Sequence, residues 1–156
     1  FDILKIIGVK NNHKKIFKTY QKESEKNNHY IRYYKDTVRV LKRMKKNKFI
    51  LNILTSKDLK RTKLVLGKNI KYFKFIECGS NKVRGKPNPY LLNKIIGKLK
   101  ANKKDCVYIG DTNIDYQTAK NSKIDFIFAK WGYGKKFNYK HKPKKISDLC
   151  KILVKN

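Results

Sequence analysis

Acidic residues are scarce in this chain: 156 residues carry 41 Lys and Arg against 11 Asp and Glu, a formal net charge of +30. A charge of that size repels itself unless salt or an anion screens it, and so points first toward nucleic acid. The lysines, however, are spread through every segment together with many Asn, Ile and Tyr residues. Nucleic-acid modules concentrate their basic residues in an arm or stripe. The scatter instead matches a compositional bias toward AT-rich codons, and no specific nucleic-acid partner is expected. Cysteine is also rare. Cys78, Cys106 and Cys150 form no CxxC pair and are too few for a disulfide scaffold, which suits a reducing cytoplasm. His13, His29 and His141 show no HxH or HExxH spacing, so the usual zinc signatures are excluded. Long apolar runs are missing as well. The stretches 49–54 and 124–129 fall far short of the roughly 18 residues that span a bilayer, and no secretory-signal pattern is expected at the start of this sequence. A cytoplasmic location and no membrane partner are the expectation.

With 40% of its residues hydrophobic, the chain can bury a sizeable core. Spaced apolar positions predict a helix over Lys14–Asn27, a break at Asn27-Asn28-His29, and an amphipathic helix from Asp36 to about Asn47. A buried strand follows at Phe49–Leu54. Then come a helix over Leu59–Leu66, a strand at Phe73–Cys78, and a helix opened by Asn88-Pro89 and running to about Leu99. The alternation repeats with a strand at Cys106–Ile109, a helix at Asn113–Ser122, a strand at Ile124–Ala129 and a closing helix over Ile146–Val154. Strands alternating with helices specify an α/β fold with a doubly wound parallel sheet. Sites in such sheets lie beyond the carboxyl ends of the strands.

Three strand ends carry chemistry. After the first strand, Thr55-Ser56 precedes a helix; a hydroxyl with free backbone N–H groups can seat a phosphate, or simply cap that helix. In Arg84-Gly-Lys86-Pro87-Asn-Pro89, two prolines stiffen the chain after Lys86, so its ammonium can serve as a positioned charge; the alternative is one more surface lysine. In Val107-Tyr-Ile-Gly110-Asp111-Thr-Asn-Ile-Asp115, Asp111 sits at the strand end and Asp115 one helical turn later. Two converging carboxylates can hold a hard cation such as Mg²⁺, although a helix cap with an incidental second acid fits the same spacing. In a chain this poor in acids, two of them meeting at a strand end favours the metal.

In order, Leu54-Thr55-Ser56-Lys57, Gly85-Lys86-Pro87-Asn88-Pro89 and Ile109-Gly110-Asp111-Thr112-Asn113-Ile114-Asp115 resemble motifs two, three and four of the haloacid dehalogenase-like hydrolases, most closely the phosphoglycolate phosphatase type. Ala119, the strand 126–129 and Trp131-Gly132-Tyr133 resemble the parts that follow. The resemblance spans about residues 34–134 and implies a Rossmann-like core over residues 35–156, with residues 1–34 as the later part of a small helical cap. It further implies a Mg²⁺-dependent phosphatase of a small phosphorylated metabolite, with cap residues choosing the substrate. Thr55, helped by Ser56, would bind the phosphoryl group and Lys86 would neutralise it. Asp111 would ligate Mg²⁺ and Asp115 would support that site, duties that suit phosphoryl transfer.

The family's first motif, Asp-x-Asp-x-Thr, which supplies the attacking carboxylate and the general acid/base, occurs nowhere in the sequence. Phe1-Asp2-Ile3-Leu4 echoes its start, but no strand precedes Asp2 and Leu4 stands where the second acid belongs. The expectation is a truncated sequence, inactive as the literal 156-residue chain. The alternative is a noncatalytic phosphate- or nucleic-acid-binding protein that keeps the fold. Neither substrate identity nor oligomeric state follows from these residues.

Overall fold

The computed structural model describes residues 8, 10–79, 85–134 and 139–154. Asp2 and Arg84 lie outside them. The chain divides into two compact units, Phe1–Arg32 and Tyr33–Asn156.

In the first unit, α1 spans His13–Lys26 and continues into a 3₁₀ turn at Asn27–Tyr30. The expected break at Asn27 is thus a tightening of the same helical path. None of the residues of α1 is buried, and its apolar pair Phe17 and Tyr20 stack with ring centroids 6.5 Å apart.

The second unit runs α2 (Thr37–Lys46), β1 (Leu51–Thr55), α3 (Leu59–Leu66), β2 (Phe73–Cys78), α4 (Tyr90–Leu99), β3 (Val107–Gly110), α5 (Asn113–Ser122), β4 (Asp125–Phe128) and α6 (Leu149–Leu153). Most boundaries follow from local signals. Asp58 caps α3 by accepting from the Arg61 backbone N–H at 2.9 Å. Asn88 Oδ1 accepts from Tyr90 N at 2.9 Å and so starts α4 one residue after Pro89. Two expectations shift. The first strand starts at Leu51 instead of Phe49, because Phe49 N bonds back to the Met44 carbonyl at the end of α2 and Ile50 is 53% exposed. The closing helix begins as a 3₁₀ turn at Ile146–Asp148 before five α-helical residues.

Pairing is parallel, as the strand–helix alternation requires. β1 pairs with β2 in a register that sets Ile53 against Ile76 and Thr55 against Cys78. β3 pairs with β4, with Ile109 against Ile127 and Gly110 against Phe128. Among the described residues these four strands form two two-stranded sheets, not one continuous sheet. Side chains alternate between faces at the strand period of two. Val107, Ile109 and Ile127 meet a core built from Val40 and Met44 of α2 and Leu149 and Cys150 of α6, while Tyr108, Phe126 and Phe128 turn the other way, toward Ala119 and Tyr116 of α5. Leu51 of β1 packs against the same α2–α6 core as β3 does. Helices therefore pack on both faces of the β3–β4 pair, and within each parallel pair the two strands present their carboxyl ends on the same side.

Among the described residues no helix is long and apolar enough to cross a membrane. All three cysteines are free thiols.

Candidate active site at the strand ends

Asp115 is the best-anchored acid of the site. It lies in the first turn of α5, where Thr112 is the N-cap. Thr112 Oγ1 accepts from Asp115 N at 3.2 Å while Asp115 Oδ2 accepts from Thr112 N at 3.1 Å, a reciprocal capping box. The Thr112 hydroxyl also donates to Oδ2 at 2.7 Å. The other oxygen, Oδ1, faces Lys86 Nζ at 2.6 Å and the Tyr108 hydroxyl at 3.1 Å. Gly110, the last residue of β3, makes this approach possible: a Cβ there would stand 2.3 Å from Asp115 Cβ. Burial alone would push the Asp115 carboxyl up, but the Lys86 ammonium, the Thr112 donors and Tyr108 together outweigh it and hold the group below the ordinary carboxylate range. The same surroundings drive the Tyr108 phenol strongly upward, through burial and the adjacent negative charge, so it stays a neutral donor.

Lys86 is consequently a positioned charge and not a loose surface lysine. Its side chain is 16% exposed. The loop that carries it is closed by Asn88 N donating to Gly85 O at 3.0 Å and tied to α5 by Asn121 Nδ2 donating to Pro87 O at 3.0 Å.

Asp111 follows β3 directly. Its Oδ2 accepts from the backbone N–H groups of Tyr133 at 3.0 Å and Gly134 at 3.3 Å, so the Trp-Gly-Tyr-Gly loop folds around it. The wrap is tight: a Cβ on Gly134 would fall 1.6 Å from the Asp111 carbonyl oxygen. Thr55 closes β1. Its Oγ1 accepts from Lys57 N at 3.1 Å and its carbonyl from Gly79 N at 2.9 Å. Because Asp58 caps α3, neither Thr55 nor the exposed Ser56 serves as that helix's cap.

The expected residues thus sort into pairs. The structure joins Lys86 to Asp115 and holds Asp111 four residues away across the α5 cap. Thr55 and Ser56 stand at the end of the other two-stranded sheet, and among the described residues no hydrogen bond or ion pair links them to Lys86 or Asp111. Tyr108, Asn121 and Gly134 went unread as site residues. Tyr108 had a usable signal, since it sits two residues before Gly110 and so on the same strand face; Asn121 and Gly134 had none beyond composition.

The carboxylates bear on the expected Mg²⁺ unequally. Both Asp115 oxygens already accept two donors each, which fills a carboxylate's capacity. Asp111 engages only Oδ2 among the described residues, leaving Oδ1 to meet a cation. Mg²⁺ keeps several waters and takes one or two carboxylates plus substrate phosphate, so Asp111 fits as a ligand. Asp115 instead fits as the anchor of Lys86. Among the described residues no cluster of three or more His, Cys, Asp or Glu side chains could hold a metal.

The chain is similar to known proteins in sequence and in fold. One segment of 64 residues is 36% identical to a phosphoglycolate phosphatase of Rhodobacter capsulatus, covering 41% of this chain and 28% of that protein. The chain therefore spans under a third of that relative's length in the matched region. In three dimensions it is similar to a predicted phosphoglycolate phosphatase from Haemophilus somnus, with TM-score 0.82 at 19% identity over 96% of this chain and 71% of the other. It is also similar to a haloacid dehalogenase-superfamily hydrolase from Geobacter sulfurreducens, with TM-score 0.67 at 16% identity over 77% and 55% of the two chains. These structural likenesses establish the α/β Rossmann-like fold. Residues 2–129 match the haloacid dehalogenase-like hydrolase family as a whole, and with the strand-end residues in the family's order, the chain belongs to that family.

Proposed function

We propose that this chain is the larger part of a Mg²⁺-dependent phosphatase of small phosphate monoesters, of the phosphoglycolate phosphatase type, acting in the cytoplasm through an aspartyl-phosphate intermediate. The observation that carries the reading is the buried Lys86–Asp115 pair, which fixes an ammonium against the first turn of α5, the helix that follows Asp111. An ammonium fixed in place before the reaction neutralises charge on a transferring phosphoryl group without reorganising, which is how positioned charges lower such barriers. Asp115 keeps Lys86 in place; Tyr108 and Thr112 keep Asp115 in place. Thr55 offers its hydroxyl hydrogen to a phosphoryl oxygen, since its acceptor side is already used by Lys57 N. Asp111 would hold Mg²⁺, which when bound supplies further positive charge to the phosphate.

The attacking carboxylate and its acid/base partner belong to a segment outside these 156 residues, since the sequence holds no Asp-x-Asp. Residues 1–34 then form the end of a cap and residues 35–156 the core. The test is phosphate release by the protein restored with its upstream reading frame. Activity should require Mg²⁺, and Lys86→Ala and Asp111→Asn should each lower kcat by about 10²–10³, the usual loss for one aimed donor or charge. Wild-type turnover by either variant refutes that residue's role. An upstream frame with no Asp-x-Asp after an apolar strand would favour a noncatalytic phosphate-binding protein.

A further inference from the structure

A cavity of about 700 Å³ opens between α2 and the C-terminal segment that carries α6. That volume lies within the roughly 300–1,000 Å³ typical of small-molecule sites. None of its lining residues belongs to the strand-end site. Its floor is apolar, because Val40 and Cys150 are members of the core cluster between the two helices and Val154 packs against that cluster. Its rim is basic. Arg39 and Arg43 stand on the α2 side and Lys145 and Lys151 on the other, all four exposed, against one acid, Asp148.

The bias that scatters lysine along the chain does not account for this rim. Arginine is a minority, five of the 41 basic residues, and two of the five line this one cavity. Two others serve the chain itself: Arg61 pairs with Asp58, and Arg32 donates to the carbonyls of His29 and Ile31. Among the described residues Arg43, Lys145 and Lys151 join no ion pair. Arg39 meets Asp36 through one nitrogen at 3.2 Å, but its side chain is 73% exposed, and a surface pair of that kind yields readily to another anion. Asp148 turns Oδ2 to the Lys145 backbone N–H at 3.1 Å.

Four cations against one acid leave a net charge of +3 around the cavity. A single phosphate, at about −1.5 to −2, neutralises only part of it. Guanidinium forks match phosphate oxygens two at a time. Arg39 and Arg43 are one helical turn apart, about 5–6 Å between Cβ atoms, which suits phosphates along a chain. We propose that this cavity is a second anion site that binds a linked chain of two or three phosphates, free or as the tail of a nucleotide whose base rests on the apolar floor. The arginines take the chain from one wall, and Lys145 and Lys151 close on it from the other.

The test titrates the purified 156-residue chain with sodium tripolyphosphate and with ATP by calorimetry, in EDTA and about 150 mM salt, where exposed charges are largely screened. Saturable binding is expected, with amide shifts in ¹H–¹⁵N spectra concentrated at residues 39–43 and 145–151. Arg39→Gln with Arg43→Gln should weaken binding by about tenfold or more. Lys18→Gln with Lys22→Gln removes the same charge at the same spacing from exposed positions of α1, and should change binding less than about twofold. ATP binding more tightly than tripolyphosphate assigns the nucleotide; ATP binding equally or more weakly assigns the free chain. Absence of saturable binding, an equal loss in both double variants, or shifts at Thr55 and Lys86 in place of the cavity would each overturn the site. So would inorganic monophosphate binding as tightly as tripolyphosphate, or a short DNA duplex binding more tightly than either ligand with the same arginine dependence. The site rests on the cavity and not on the phosphatase reading. EDTA withholds the metal that the proposed catalysis needs, so a restored protein that releases no phosphate in Mg²⁺ counts against that catalysis alone.

Discussion

Truncating Asp115 to Ala removes one carboxylate that four donors use, and the consequence can be worked from the geometry. Lys86 Nζ, 2.6 Å away and on a side chain only 16% exposed, loses its counter-charge where water reaches it poorly. Breaking a buried pair from one side typically costs about 3–5 kcal/mol. Partial access of Lys86 to solvent places this case at the low end, while the lost reciprocal cap of α5 adds about 1 kcal/mol. The expected destabilisation is about 3–4 kcal/mol, or roughly 6–16 °C in Tm at 2–4 °C per kcal/mol for a chain of this size. Urea denaturation followed by circular dichroism measures it, with an unchanged m value as the check that the denatured state is unaltered. Lys86→Met combined with Asp115→Ala should recover about 1–2 kcal/mol relative to Asp115→Ala alone, because the stranded cation is gone. Asp115→Asn, which keeps an oxygen for the Thr112 donors, should fall between wild type and Asp115→Ala. A loss below about 1 kcal/mol for Asp115→Ala, or no recovery in the double variant, refutes the claim that Asp115 anchors Lys86.

The same carboxylate sets a pH dependence: held below its ordinary 3.8 in the folded chain, it takes up a proton more readily when unfolded, so its stabilisation is present above about pH 4 and is lost as pH falls through its folded value. Acid titration of urea midpoints should show this slope, and Asp115→Asn should flatten it. Gly110→Ala would set a Cβ 2.3 Å from Asp115 Cβ and should destabilise by about 1–3 kcal/mol in the same assay. The +30 charge should give nucleic-acid binding that ignores sequence and weakens steeply between about 50 and 200 mM salt, with a log–log slope of roughly −0.9 per duplex phosphate contacted. Filter binding on unrelated DNA and RNA sequences reads it, and tight sequence-selective binding at the higher salt would overturn the compositional account.

Local pattern alone located most of this fold. The helix over Leu59–Leu66, the strand over Phe73–Cys78 and the helix over Asn113–Ser122 stand where the sequence puts them, because their signals act within a few residues: apolar periodicity, a cap three residues back, a turn at the end. The order of Thr55, Lys86 and Asp111 along the chain likewise sufficed to identify the family. Tertiary structure decided what those residues do for one another. Lys86 reaches Asp115 across 29 residues, Asp111 is wrapped by a loop 22 residues on, and Asn121 ties down Pro87 across 34. Spacing offered Asp111 and Asp115 as two converging carboxylates, one to ligate and one to support; the meeting of the Lys86 loop with the start of α5 made Asp115 the anchor of a lysine, while Asp111 engages only Oδ2 among the described residues. The division of the sheet was equally out of reach, since strand pairing is a relation between distant segments and an apolar run looks the same whether one of its edges or both are bonded.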